Sequence, residues 1–307
     1  METKHMGTTE WVLLMTLAGL WGGSFFLIKI LVATLPPFTI VLGRMGLAAL
    51  TLNLILLFRK QPMRLSMPWG QFLIMGVFNN VIPTSLIVWG ETRITSGMAS
   101  ILNAMTPVFT VVIAHFLTRT ERLSLNRGLG VIIGVSGVAV LMGPAAFSNI
   151  GSTDLYGDIA CLLAACSYGF AAIYGRRFKT FPLLQVATGQ ITAATIVILP
   201  VAAVFEHFWT LPMPSLTVWA ALVGIAIFCT VLGYILYFQI LASSGATNVA
   251  LVTLLIPVFS LLLGYFILHE TIQLTSLIGM ALIGLSLAAI DGRLYRISLN
   301  KISSLIR

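Results

Sequence analysis

Apolar residues in this chain fall into long uninterrupted runs separated by short clusters of Gly, Pro and charged residues. The runs are about 18 to 25 residues long, which is what a helix needs to cross a roughly 30 Å hydrocarbon core. Breaking the chain at the polar clusters predicts ten helices, near 11–33, 38–58, 69–89, 96–118, 127–142, 157–175, 183–204, 216–241, 246–268 and 274–291. The first run is too long for a signal-peptide core and ends in Leu35-Pro36-Pro37 without a small-residue cleavage site, so it is read as a retained helix.

Composition points the same way. Of 307 residues, 58% are hydrophobic and 8% charged, whereas an ordinary soluble domain carries about 25% charged residues. The fold class is therefore all-α integral membrane. The net charge of +8 comes from short basic clusters between apolar runs, with no continuous patch of the kind nucleic acid requires. Basic loops stay cytoplasmic, and every Lys and Arg except Lys29, Arg44 and Arg93 falls on one side if both termini are inside. Cys161, Cys166 and Cys229 lie within apolar segments and lack the spacing of a disulfide framework or metal site. No cofactor and no metal is expected.

The chain also resembles itself. An offset of 150 places Trp69 on Trp219, Pro107 on Pro257, and Pro107-Val108-Phe109-Thr110 on Pro257-Val258-Phe259-Ser260. Offsets of 147 and 146 align Trp21-Gly22 with Tyr168-Gly169 and Gly43-Arg44 with Gly189-Gln190. Each half holds five helices. Because five is odd, the second half must enter the membrane upside down, the inverted-repeat plan of many secondary transporters. The charges agree: the connector Arg119 to Arg127 carries three arginines and its counterpart around His269-Glu270 carries none. The expected units are 1–148, 149–292 and a basic cytoplasmic tail, 293–307.

These features resemble the ten-helix EamA-type members of the drug/metabolite transporter superfamily. The resemblance is carried by Leu20-Trp21-Gly22-Gly23-Ser24-Phe25-Phe26 with Lys29, by Gly43-Arg44 with Ala48, by Pro107-Val108-Phe109 followed by Glu121-Arg122-Leu123, and by Pro257-Val258-Phe259 followed by His269-Glu270. It implies two inverted five-helix repeats around a central cavity lined by helices 1, 3, 4, 6, 8 and 9. It also implies export of small metabolites from a bacterial inner membrane, with amino acids or related zwitterionic and neutral solutes as the leading class. Drugs or other metabolites are the alternative substrates.

Candidate site residues follow from polar positions inside the spans. Asn103 with Pro107 and Thr253 with Pro257 occupy matching places in helices 4 and 9, where a proline frees a carbonyl one turn earlier. Helix 3 offers Asn79, Asn80, Pro83 and Thr84, and the repeat sets the last three against Thr230, Gly233 and Tyr234 of helix 8. Trp21, Tyr168 and Tyr234 could enclose an organic solute, with Ser24 beside the first. The expected binding set is Trp21, Ser24, Asn80, Thr84, Asn103, Tyr168, Thr230, Tyr234 and Thr253. Pro83, Pro107, Gly233 and Pro257 are expected hinges, and Arg44 with Glu91 or a backbone carbonyl an external gate. Lys29 is expected to snorkel to headgroups.

All nine acidic residues map to termini, loops or span ends, which favours a facilitator over a carboxylate proton relay. A membrane-embedded enzyme is the rival reading. It is disfavoured because no HExxH or GxSxG string occurs, and no catalytic residue is expected. The expected partners are a small-molecule substrate and the lipid bilayer, without nucleic acid and with a monomer as the assembly.

Overall fold

A computed structural model describes residues 7–118, 125–142 and 153–290. Glu121, the junction at 148/149 and the tail from 293 lie outside the described residues. The chain is helical, and among the described residues there is no strand. In hydrocarbon every backbone N–H and C=O must find a partner within the chain, which selects helices for these apolar runs. Among the described residues ten spans result: α1 Thr8–Leu31, α2 Pro37–Phe58, α3 Trp69–Glu91, α4 Ser96–Leu117, α5 Leu125–Met142, α6 Thr153–Tyr174, α7 Leu183–Glu206, α8 Leu216–Ser244, α9 over 246–268 and α10 Leu274–Ile290. Seven are long and apolar enough by themselves to cross a bilayer, and three shorter apolar helices complete the set.

Span ends follow local chemistry. Pro37 opens α2 where its missing N–H costs nothing. The Thr95 and Ser215 hydroxyls accept from Met98 N and Val218 N at 3.2 and 3.4 Å, capping α4 and α8. The ends are within a few residues of the predicted ones. The interiors differ. Helix α4 is interrupted after Asn103 and resumes at Thr106, with Pro107 in its new first turn. Helix α9 is interrupted between Val249 and Val252, and Pro257 sits inside the continuous helix that follows. The α9 break therefore precedes its proline by about a turn and a half.

The packing is that of an inverted repeat. Helix α1 lies against α9, and its counterpart α6 lies against α4; α3 lies against α6 and α7, while α8 lies against α1 and α2. The pairs α2–α7, α4–α9 and α5–α10 map onto themselves. A pseudo-twofold axis in the membrane plane produces this pattern. Without a hydrophobic drive between helices in lipid, close van der Waals approach holds such pairs together. Gly22 and Gly169 show it at equivalent crossings. A Cβ at Gly22 would lie 2.7 Å from the Ile256 carbonyl oxygen and from Phe259 Cβ, and one at Gly169 would lie 2.9 Å from Thr110 N. Gly43 against Leu222 and Gly189 against Phe72 repeat the theme in α2 and α7.

Candidate functional site

The two halves share a backbone defect. Helix α3 is π-helical over Val77–Val81 and α8 over Ile225–Leu232, matching positions at the 150-residue offset. Wider turns of this kind leave carbonyls without their usual partners and mark functional sites in helices. In α3 the cause is Pro83, whose missing N–H cannot serve the carbonyl one turn back. Ser167 Oγ of α6 donates to the freed Phe78 carbonyl at 2.7 Å. In α8 the Trp21 indole N–H of α1 donates to the Cys229 carbonyl at 3.1 Å, while Thr230 Oγ1 donates back to Ile225 O at 2.9 Å. Gly233, which aligns with Pro83, makes room for that indole: a Cβ there would stand 2.5 Å from Trp21 Nε1.

The side chains around these defects form one polar cluster. Asn79 Nδ2 donates to Gln190 Oε1 of α7 at 3.0 Å and to the Tyr234 hydroxyl oxygen at 3.1 Å. Asn80 Nδ2 donates to the same Gln190 oxygen at 3.4 Å, and the Tyr234 hydroxyl donates to Asn80 Oδ1 at 3.4 Å. Arg44 Nε of α2 donates to Thr230 Oγ1 at 3.0 Å. Its guanidinium lies within electrostatic range of Tyr168, Tyr234 and Cys229. Tyr168 lies against Thr84. Trp21 stacks on Tyr237 with centroids 5.7 Å apart. Asn80, Thr84 and Thr230 are buried, whereas Arg44, Asn79, Trp21, Tyr168 and Tyr234 are half-buried.

The face that carries the α1–α2, α3–α4, α7–α8 and α9–α10 turns is tied shut. Lys29 Nζ donates to the carbonyls of Glu91 at 2.8 Å and Ile94 at 2.7 Å. Glu270 receives Ser96 N at 3.0 Å, Ser96 Oγ at 2.8 Å and Gly97 N at 3.4 Å, capping the start of α4. Glu206 does the same for α2, receiving Phe38 N at 2.8 Å, Thr39 N at 2.6 Å and Thr39 Oγ1 at 2.8 Å. Helix N-termini favour carboxylates because they present unpaired N–H groups and the positive end of the helix dipole. On the opposite face Phe72, Phe178 and Phe181 form an aromatic cluster with Trp69 and Tyr174.

The comparisons fit this geometry. The model of the "EamA-like transporter family" matches residues 9–143 and again 155–290, nearly the whole chain in two copies. The chain belongs to the EamA-like transporter family. Three EamA-like relatives are named as uncharacterized transporters. YvbV of Bacillus subtilis is 27% identical over 94% of this chain and 93% of its own. YoaV of the same organism is 23% identical over 86% and 90%. The inner membrane transporter YedA of Escherichia coli K12 is 26% identical over 83% and 81%. A crystal structure superposes with a TM-score of 0.66 at 20% identity, covering 92% of this chain and 97% of that one, and shares the fold. The chain is thus a multi-pass EamA-like transporter of small solutes.

Within this EamA-like frame the expected residues sort by position. Trp21, Asn80, Thr84, Tyr168, Thr230 and Tyr234 come together at the centre. Ser24 and Thr253 spend their hydroxyls on backbone, donating to Trp21 O at 2.6 Å and Ala250 O at 2.7 Å. Thr253 and Pro257 line a separate apolar crevice of about 550 Å³ between α4, α9 and α10. Asn103 ends the first segment of α4, and its Oδ1 is buried without a hydrogen-bond partner.

The expected gate is arranged differently. Arg44 reaches Thr230, and it is Lys29 that takes the Glu91 carbonyl, because Lys29 lies one turn from the end of α1, beside the α3–α4 turn. The Glu91 carboxylate is 0% exposed and neither oxygen has a hydrogen-bond partner. Asp158 is also buried, with one oxygen unpartnered. Both are span-end residues, yet both lie inside the protein. Sequence reasoning noted Asn79 on helix 3 but left it out of the binding set, and it missed Gln190 and Tyr237 as site residues. Gln190 had a signal, since the repeat aligns it with Arg44.

Proposed function

We propose that this protein moves small solutes by alternating access through the central cluster, with amino acids and related zwitterionic or neutral metabolites as the substrate class and efflux as the direction. One observation carries the reading: two helices with π-helical defects at repeat-related positions face each other across a polar centre edged by aromatic side chains. Interrupted helices α4 and α9 flank it, as in folds whose repeats rock about a midmembrane site. The basic loops support a bacterial inner-membrane placement with both termini cytoplasmic. On that placement, the face closed by Lys29, Glu206 and Glu270 is the outer one. The family and its relatives' names speak for transport over membrane-embedded catalysis.

Counterflow of amino acids into proteoliposomes tests this directly. Wild-type vesicles should exchange at least one amino acid, and Asn103→Leu should cut that exchange about tenfold or more while leaving insertion intact. Exchange of no amino acid by wild type would overturn the substrate class, and unchanged exchange by the variant would remove Asn103 from the path.

A further inference from the structure

Arg44 stands about 10 Å into α2 from its first residue at 1.5 Å per residue, roughly a third of the way across the hydrocarbon core. A guanidinium at that depth is costly unless something neutralises it. Only its Nε has a partner, Thr230 Oγ1 at 3.0 Å; among the described residues neither Nη makes a hydrogen bond and no carboxylate forms an ion pair with it. Glu91, the acid in electrostatic range, bonds to nothing through either oxygen. Lys29, the cation of α1, is already held by two carbonyls. Arg44 is half-buried and lies within electrostatic range of Tyr168 and Tyr234, so its unused N–H groups are not sealed off by the protein.

The repeat sharpens the point. Gln190, aligned with Arg44, faces Asn79 and Asn80 as Arg44 faces Thr230, and its oxygen is satisfied by both. The neutral half engages its amide oxygen twice within the protein, and the cationic half leaves a planar donor pair open. Two parallel N–H groups of a guanidinium match the two oxygens of a carboxylate.

We infer that Arg44, oriented by Thr230, is the recognition point for a carboxylate on the transported solute. This inference rests on the transport reading above and narrows its substrate class: solutes bearing a carboxylate enter, and the same skeleton as amide or amine does not. The faces of Trp21, Tyr168, Tyr234 and Tyr237 would receive an apolar side chain next to that group.

The test uses the full chain and four probes of one skeleton: L-leucine, 4-methylpentanoate, L-leucinamide and 3-methylbutylamine. Ligand-induced thermal stabilisation in detergent is read alongside competition in leucine counterflow. Wild type should be stabilised by the two acids and not by the amide or amine. Arg44→Gln should weaken both acids about tenfold or more and erase the preference for acid over amide. Arg44→Lys should weaken them less, since it keeps the charge without the fork, and Thr230→Val should weaken them several-fold by releasing Nε. A merely structural Arg44 would lower flux for every probe and leave the acid-to-amide ratio unmoved. That result, equal stabilisation of wild type by all four probes, or no stabilisation by either acid would overturn the inference. Because the wild-type preference needs no variant, a misfolded Arg44→Gln does not shield it. If leucine exchange persists in vesicles with the amide competing equally, transport stands and this inference falls; if the acids bind selectively but nothing crosses, the transport reading falls instead.

Discussion

The π-helical stretches of α3 and α8 occupy equivalent places in the two repeats, yet the chemistry around them has diverged. In α3 the defect is forced by Pro83, relieved by the small hydroxyl of Ser167 and surrounded by neutral amides. In α8 no proline is present; the defect is held by Thr230 bonding five residues back and by a large indole, and a guanidinium stands beside it. The same backbone distortion is thus stabilised by different side chains. The difference teaches that the repeat fixes where polar backbone is exposed, and later divergence sets which solute chemistry meets it.

If the scaffold is the shared part, equal insults to it should hurt both halves equally. Gly22→Leu and Gly169→Leu are expected to give the largest losses, about 3 kcal/mol or more each, because the added side chain meets backbone that cannot yield. Both variants should lose most monodisperse protein and unfold well below wild type in detergent. A large loss at one crossing with none at the other would break the equivalence of the repeats.

The scaffold was largely legible beforehand, and for a physical reason. Spans announce themselves because lipid tolerates so few polar residues, and the repeat showed because Pro107 and Pro257 each sit before Val-Phe at one offset. The centre was legible only where an intramembrane polar residue stood out, as with Asn80, Thr230 and Tyr234. Side-chain direction was not: that the Ser24 and Thr253 hydroxyls turn onto carbonyls of their own helices cannot be read from the sequence. The α8 defect was also hidden, since no proline marks it. Neither was the burial of Glu91 readable, because a carboxylate at a span end looks solvated in one dimension and is enclosed by α1, α2 and α6 in three.

The carbonyls freed by the two defects give the next effect. Trp21→Phe removes the donor to Cys229 O, and Ser167→Ala removes the donor to Phe78 O. An unsatisfied buried carbonyl costs about 1–3 kcal/mol, so each variant should be destabilised within that range. Trp21→Phe should lose more, because it also weakens the stack on Tyr237, a contact worth about 0.5–1.5 kcal/mol. Thermal unfolding of the two variants side by side reads this ordering. If Ser167→Ala proved neutral, the α3 defect would be stabilised by Pro83 alone, and the two distortions would differ in kind.

The smallest expected effect lies at the closed face, where Glu206 and Glu270 bridge α7 to α2 and α9 to α4, two of the pairs that map onto themselves across the axis. Replacing either by Gln keeps an acceptor oxygen at the helix start but removes the charge that the helix N-terminus favours, a loss of about 0.3–1 kcal/mol. Glu206 holds its donors at 2.6–2.8 Å and Glu270 at 2.8–3.4 Å, so Glu206→Gln should cost more. On the alternating-access reading these bonds break when that face opens, so each variant should also shift the population toward the open form by about two- to fivefold, the factor such an energy corresponds to. Access of a membrane-impermeant thiol reagent to a cysteine placed at Leu35, buried in the α1–α2 turn of that face, would report the shift. An unchanged labelling rate in both variants would show that Lys29 and the Glu91 carbonyl hold this face closed without them.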